Sequence, residues 1–126
     1  MRATPVKAPM LERRARGSRT AYRVYILQRV TALVMGPMVL IHLATIVYAT
    51  QQGLSAEAIL GRTQGSMLWA AFYGLFVVAA AIHATIGLRT VLAETLRWRL
   101  AGLDVLMLCF FLALLGFGLR AVVIVT

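Results

Sequence analysis

The sequence predicts an all-α membrane protein with three transmembrane helices running up, down and up, the N-terminus cytoplasmic and the C-terminus periplasmic. Three observations carry this. The 126 residues are 61% hydrophobic, more apolar side chain than a core of that size buries. The apolar residues fall into three segments, Val30 to Ala49, Met67 to Leu88 and Val105 to Leu119. The first two reach the ~20 residues that cross ~30 Å of hydrocarbon as helix; the third does so only by continuing past Arg120 to Val125. Finally, the formal net charge of +9 is unevenly placed. Arg2, Lys7, Arg13, Arg14, Arg16, Arg19, Arg23 and Arg29 precede the first span; Arg89, Arg97 and Arg99 follow the second; the loop between carries only Arg62. By the positive-inside rule the N-terminus and the second loop face the cytoplasm, or the matrix.

Residues 1–21 read as a basic N-terminal arm, poorly ordered unless docked, and residues 22–126 as the three-helix anchor domain. No aromatic stripe or groove-reading motif accompanies the arm, so anionic headgroups or an acidic soluble partner suit it better than nucleic acid. A cleaved signal peptide is not expected, because the apolar run that follows is too long and lacks a small-x-small site. An arginine-rich, acid-poor leader also has the composition of a mitochondrial transit peptide, which keeps the mitochondrial inner membrane as the alternative to a bacterial inner membrane.

The first helix is expected to begin near Tyr22. At 100° per residue, Gln28, Thr31, Met35, Met38, His42, Thr45 and Ala49 share one face, while Leu33, Leu40 and Val47 point oppositely, towards lipid. Gly36-Pro37 predicts a kink, since proline removes a backbone bond and clashes one turn back. Gln51 to Gly65 forms the outer loop, with Ser55 capping a short helix, Glu57 in its first turn and Gly61 ending it. On the second helix Phe72, Phe76, Ala79, His83, Gly87, Thr90 and Glu94 share a face and Arg89 points elsewhere. Trp69 and Tyr73 suit the outer boundary, Trp98 the inner one. Gly102 and Asp104 mark the next turn, Asp104 as cap of the third helix, whose Gly116 and Gly118 permit close helix contact. Arg120 snorkels to the outer headgroups. Cys109, the single cysteine, sits mid-span in a structural role and excludes both an internal disulfide and a cysteine metal cluster.

Chemistry concentrates on two histidines. A lone imidazole among Ala79, Ala80, Ala81, Ile82 and Ala84 has no water to bond, and an unpartnered one costs a few kcal/mol to bury. Ionisable residues inside spans are functional candidates. His83 is therefore read as a haem ligand, a proton carrier or a core histidine bonded to a neighbouring helix, and His42 faces the same choice with less around it. With Arg29 and Arg89 at one interface, the rise per residue puts His42 about 20 Å deep and His83 about 9 Å. One iron cannot take both, because axial nitrogens lie within ~4 Å of each other at ~2 Å per bond. Two histidines would mean two haems, each completed by another chain. Tyr25, Gln28 and Arg29 gather polar groups where the first helix enters the membrane, at a depth suited to a quinone headgroup or to simple interface anchoring. There is no Gly-rich phosphate loop, no nucleophile with a base and no paired carboxylate within the spans. Alone, the chain could carry electrons but not transform a substrate.

Two segments carry a family resemblance. Ala21-Tyr-Arg-Val-Tyr-Ile-Leu-Gln-Arg-Val-Thr-Ala32 and His83-x3-Gly87-x-Arg89 resemble, in order and spacing, the start of helix I and the helix II haem motif of the cytochrome b membrane-anchor subunit of succinate dehydrogenase and fumarate reductase. The resemblance covers most of residues 21–126. It departs where the motif usually continues with histidine and ends in aspartate; here Thr90 and Glu94 stand instead. A serine that often contacts the quinone is replaced by Tyr25. The resemblance implies one haem b on His83, its second ligand from a second anchor subunit or a second copy of this chain, with Arg29 and Arg89 also near the cofactor. It implies a quinone, the substrate, near Gln28, Arg29, Tyr25 and Thr31. His42 would suit the outer histidine of di-haem relatives and so a second haem b. It further implies flavoprotein and iron–sulfur subunits as partners, the dicarboxylate chemistry belonging to the flavoprotein. Haem-free anchors share the Tyr22 to Ala32 segment but lack the glycine and arginine after His83. A small proton-coupled transporter subunit using His83 and Glu94 is the remaining alternative.

Overall fold

The computed structural model describes residues 7–95 and 101–126. Four helices follow one another: α1 (Lys7–Gln51), α2 (Ala56–Thr63), α3 (Met67–Thr95) and α4 (Ala101–Val125). Three of them, α1, α3 and α4, are long and apolar enough to cross a membrane. The third span does continue past Arg120, which is what gives it crossing length. Arg97, Trp98 and Arg99 lie outside the described residues, as does Arg2.

α1 does not begin near Tyr22 but fifteen residues earlier, and it is unbroken through the arginine-rich segment and through Pro37. The extension follows from helix cooperativity. A span already helical needs no new nucleus, and Met10, Leu11, Glu12, the arginines and Ala15 are good helix formers. Pro9 falls in the first turn, where its missing N–H is not needed. At 1.5 Å per residue, α1 is about 67 Å long, roughly twice the hydrocarbon thickness.

The face predicted for α1 is the face that packs. Gln28, Thr31, Met35, Met38, His42, Thr45 and Ala49 are all buried or half-buried, whereas Leu33 and Leu40 are 75% and 67% exposed. α3 is central, with α1 packed on one side and α4 on the other. Thr31 meets His83 while His42 meets Tyr73 and Phe76, so α1 and α3 run in opposite senses. Arg89 meets Asp104 while Val77 meets Gly118, and α3 and α4 are likewise antiparallel. Along α4, Leu103, Met107, Phe110, Leu114, Gly118 and Val122 form the inward stripe at the 3.6-residue period.

At Gly118 the Val77 side chain of α3 comes so close that an added Cβ would collide with it. Gly116 has open space around it and no part in the contact. Helical phase is the reason: two residues before Gly118, it points about 160° away. α2 begins as expected, with the Ser55 hydroxyl accepting from the Ala58 N–H at 3.2 Å and Glu57 in the first turn. It does not end at Gly61. The left-handed position that releases the chain is taken by Gly65, at φ 74°, and Gly61 stays helical. The Gly65 N–H donates to the Thr126 carbonyl, tying the start of α3 to the end of α4.

The described core is thin. Met38, Ala79, Ala81, Leu103, Met107 and Val122 are its buried apolar residues, and no large side chain is fully enclosed. Most Leu, Ile and Val side chains of α1 and α4 face outwards, as befits helices apolar enough to lie in lipid.

Candidate functional site

The site forms where the Arg89 end of α3 crosses the inward face of α1. His83 lies between the helices with a partner on each ring nitrogen: Thr31 Oγ1 is 3.2 Å from Nδ1, and Gln28 Nε2 is 3.3 Å from Nε2. The Thr31 hydroxyl has one proton and two carbonyls of its own helix within reach, Leu27 at 2.9 Å and Gln28 at 3.1 Å. Both are nearer than the ring. The hydroxyl therefore donates to the helix, as threonines in helices do, and accepts from His83 Nδ1–H. Gln28 Nε2, a donor only, then points at an unprotonated His83 Nε2. Both contacts are met by the tautomer that carries its proton on Nδ1.

Local sequence makes this arrangement possible. Gln28 and Thr31 are one turn apart and thus on one stripe of α1. Gly87, one turn beyond His83, lies against the Gln28 amide, whose nitrogen would be in ordinary contact, at 3.4 Å, with a Cβ placed there. The other end of that amide is unsatisfied: Gln28 Oε1 is buried without a hydrogen-bond partner.

Tyr25 and Arg29 sit on the exposed side of α1, the Arg29 guanidinium 5.2 Å from the centre of the Tyr25 ring. This is cation–π geometry. The sequence grouped Tyr25, Gln28 and Arg29; the structure divides them, with Gln28 turned inwards to His83 and the other two outwards. Arg89 is exposed and donates from Nη2 and Nε to Asp104 Oδ1 at 2.8 and 3.0 Å. Asp104 is thus not the cap of α4 but a residue of its first turn, where a carboxylate also suits the helix dipole. The sequence missed this pairing. Fifteen residues separate the partners, and only the α3–α4 connection brings them together.

His42 lies towards the α2 end, beside the Tyr73 ring at 5.8 Å edge-on and the Phe76 ring at 6.4 Å. Its Nδ1 is buried without a hydrogen-bond partner. Two clefts open against it. One, of about 380 Å³, is lined by Thr45, Arg62, Trp69 and Tyr73 among others. The second, of about 570 Å³, lies between α2, α3 and α4 and reaches Ile59, Phe76 and Gly118. Trp69 stacks on Tyr73 at 5.6 Å, completing an aromatic group at this end.

The depths differ from those expected when Arg29 and Arg89 are set at one level. His83 is level with Thr31, only two residues from Arg29, so Arg29 lies about 6 Å deeper than Arg89 rather than beside it. His42 is eleven residues from Thr31, and counting along either helix separates the histidines by roughly 10 to 16 Å. No single iron spans that distance. Among the described residues, no three His, Cys, Asp or Glu side chains converge on a point.

The fold and these contacts define a multi-pass, all-helical membrane protein whose polar groups are gathered between its spans. Residues 5–119 match the family of succinate dehydrogenase/fumarate reductase transmembrane subunits, and the chain belongs to that family. No curated protein and no solved structure matches it.

Proposed function

We propose that this chain anchors the flavoprotein and iron–sulfur subunits of a succinate:quinone or quinol:fumarate oxidoreductase and carries electrons between them and a membrane quinone. The proposed setting is a bacterial inner membrane, spans up, down and up, N-terminus cytoplasmic and C-terminus periplasmic; the mitochondrial inner membrane, with the matrix in place of the cytoplasm, is the alternative. The basic extension of α1 and the Arg89 end then face the soluble subunits.

The observation that carries the redox reading is His83. A haem ligand needs a neutral imidazole with a lone pair directed at the metal and its other nitrogen held by an acceptor. With its proton on Nδ1, His83 would meet both conditions, Nε2 facing the Gln28 amide at 3.3 Å. When bound, haem b supplies a one-electron carrier next to the quinone. His83 would be one ligand of that haem, and a second anchor subunit or a second copy of this chain would supply the other. Arg29 and Arg89 are the cations suited to the propionates. Tyr25, Gln28, Arg29 and Thr31 form the proposed quinone surround, Arg29 donating to a quinone oxygen and Gln28 Oε1, unsatisfied in this chain, able to accept from a quinol hydroxyl. His42, with its orphaned Nδ1 and adjoining clefts, is the proposed ligand of a second haem.

A haem-free anchor is the second reading, favoured by one observation: both His83 nitrogens already have partners within this chain. A reduced-minus-oxidised absorbance spectrum of the complex purified with its partner subunits separates the two. The expected result is a b-type band that His83→Ala abolishes if His83 holds the one haem and halves if His42 holds a second, while the spans remain inserted. Full haem occupancy in that variant would refute the ligand assignment; absence of the band in the parent complex would leave the bare anchor.

A further inference from the structure

We propose that Thr31 is the positioning residue of His83, holding the proton on Nδ1 so that the Nε2 lone pair is available to iron, and thereby lowering the reduction potential of the haem bound there. This rests on the reading of His83 as a haem ligand. Thr31 is 5% exposed, and its hydroxyl proton is directed to the Leu27 and Gln28 carbonyls at 2.9 and 3.1 Å. Its oxygen can then only accept from the ring, across 3.2 Å. The bond is built into rigid backbone, since Thr31 lies within α1 and a β-branched residue in a helix has few rotamers.

Gln28 plays the opposite part. Its long unbranched side chain covers Nε2 at 3.3 Å and leaves Oε1 unsatisfied, so its amide is bonded at one end. Of the two contacts to His83, the threonine one persists when Gln28 swings aside and the glutamine one does not. A metal taking the place of the Gln28 amide would meet the same unprotonated Nε2.

The electronic consequence follows from general metal chemistry. An acceptor on the distal nitrogen makes an imidazole a stronger donor, and such partners tune both affinity and potential. Greater donation favours the ferric state. Removing the acceptor raises the potential and weakens the hold on the metal.

The test compares Thr31→Val, which keeps shape and loses the oxygen, with Thr31→Ser, which keeps the oxygen. In the complex with its partner subunits, Thr31→Val is expected to bind haem about 10- to 100-fold more weakly in competition with an apo-globin acceptor, the range seen for such outer partners. Its ferric-to-ferrous ratio at fixed potential should fall about tenfold, an upward shift of ~59 mV for one electron. Thr31→Ser should restore both values. Nitrogen-15 NMR of the histidine-labelled, haem-free full chain in bilayers reads the tautomer without any cofactor. Nδ1 protonation of His83 in the parent chain supports the proposal, whereas Nε2 protonation overturns it, and this measurement needs no variant to fold. Parent-like haem affinity and potential in Thr31→Val would also overturn it while leaving His83 as ligand. If the complex takes up no haem, the redox reading fails and with it the predicted effect on potential; the NMR result alone then decides whether Thr31 fixes the tautomer.

Discussion

The two histidines sit in one apolar bundle, yet their surroundings differ. His83, at the Arg89 end, is held by Thr31 and Gln28, one side chain per ring nitrogen. His42, at the α2 end, leans on Tyr73 and Phe76 and has a buried nitrogen with no partner. The first imidazole is held by this chain's own side chains; the second is surrounded by rings and adjoins open clefts. Polar residues within a span do not all carry the same information. A ring whose nitrogens are already paired has a fixed tautomer, and one with an orphaned nitrogen marks where something else belongs or where stability has been given up.

The largest effect that would sharpen this contrast is on haem content. His83→Ala should remove the haem assigned to His83 and its share of the b-type band, whereas His42→Phe should leave that haem in place. If His42 serves a second haem, the haem-to-chain ratio by pyridine haemochrome halves in His42→Phe; if it serves none, the ratio is unchanged. In that second case the variant should be more stable by roughly 1–3 kcal/mol in a reversible detergent or bicelle unfolding titration. It removes an unsatisfied buried nitrogen and places an apolar ring against Tyr73 and Phe76. A strong loss of stability in a haem-free His42→Phe chain would show that Nδ1 has a partner after all.

Smaller effects come from the two helix contacts that frame the histidines. Gly118→Ala drives a methyl into Val77 beside the larger cleft. It should cost about 1–3 kcal/mol, the usual penalty of overpacking. Gly116→Ala meets open space and should be neutral or gain up to ~1 kcal/mol from helix propensity. Equal outcomes for the two glycines would mean that α4 is rotated from the placement described. Smallest is the Arg89–Asp104 pair. With side chains 53% and 65% exposed, a double-mutant cycle on Arg89→Ala and Asp104→Ala should yield a coupling of no more than ~1 kcal/mol, weakened by salt.

Much of this was legible before any coordinates. The stripe from Gln28 to Ala49 could be drawn from periodicity because a helix in a membrane has one polar face and must turn it away from lipid. The three spans followed from length and apolarity, the loop from Gly and Ser chemistry. Less visible was where helices stop. The cues at Tyr22 and Gly61 were overridden, one by cooperative extension through good helix formers and the other because Gly65 carries the left-handed residue. Invisible altogether was which residue meets which across the bundle. Arg89 with Asp104 and Val77 with Gly118 depend on the register of packed helices, which no local pattern encodes.

The sequence by itself determined that this chain is a helical membrane protein, which face of α1 is polar, and that His83 and His42 are its chemically distinctive residues. Those features are set by hydrophobic periodicity and by the cost of burying polar groups in hydrocarbon. Only the tertiary structure decided that Thr31 and Gln28, rather than water or one another, are the partners of His83, and that His42 is left with a bare nitrogen. The reason is physical: a side chain's propensity fixes the direction it points along its own helix, but its hydrogen-bond partner is chosen by the axial offset and rotation of the helix packed against it.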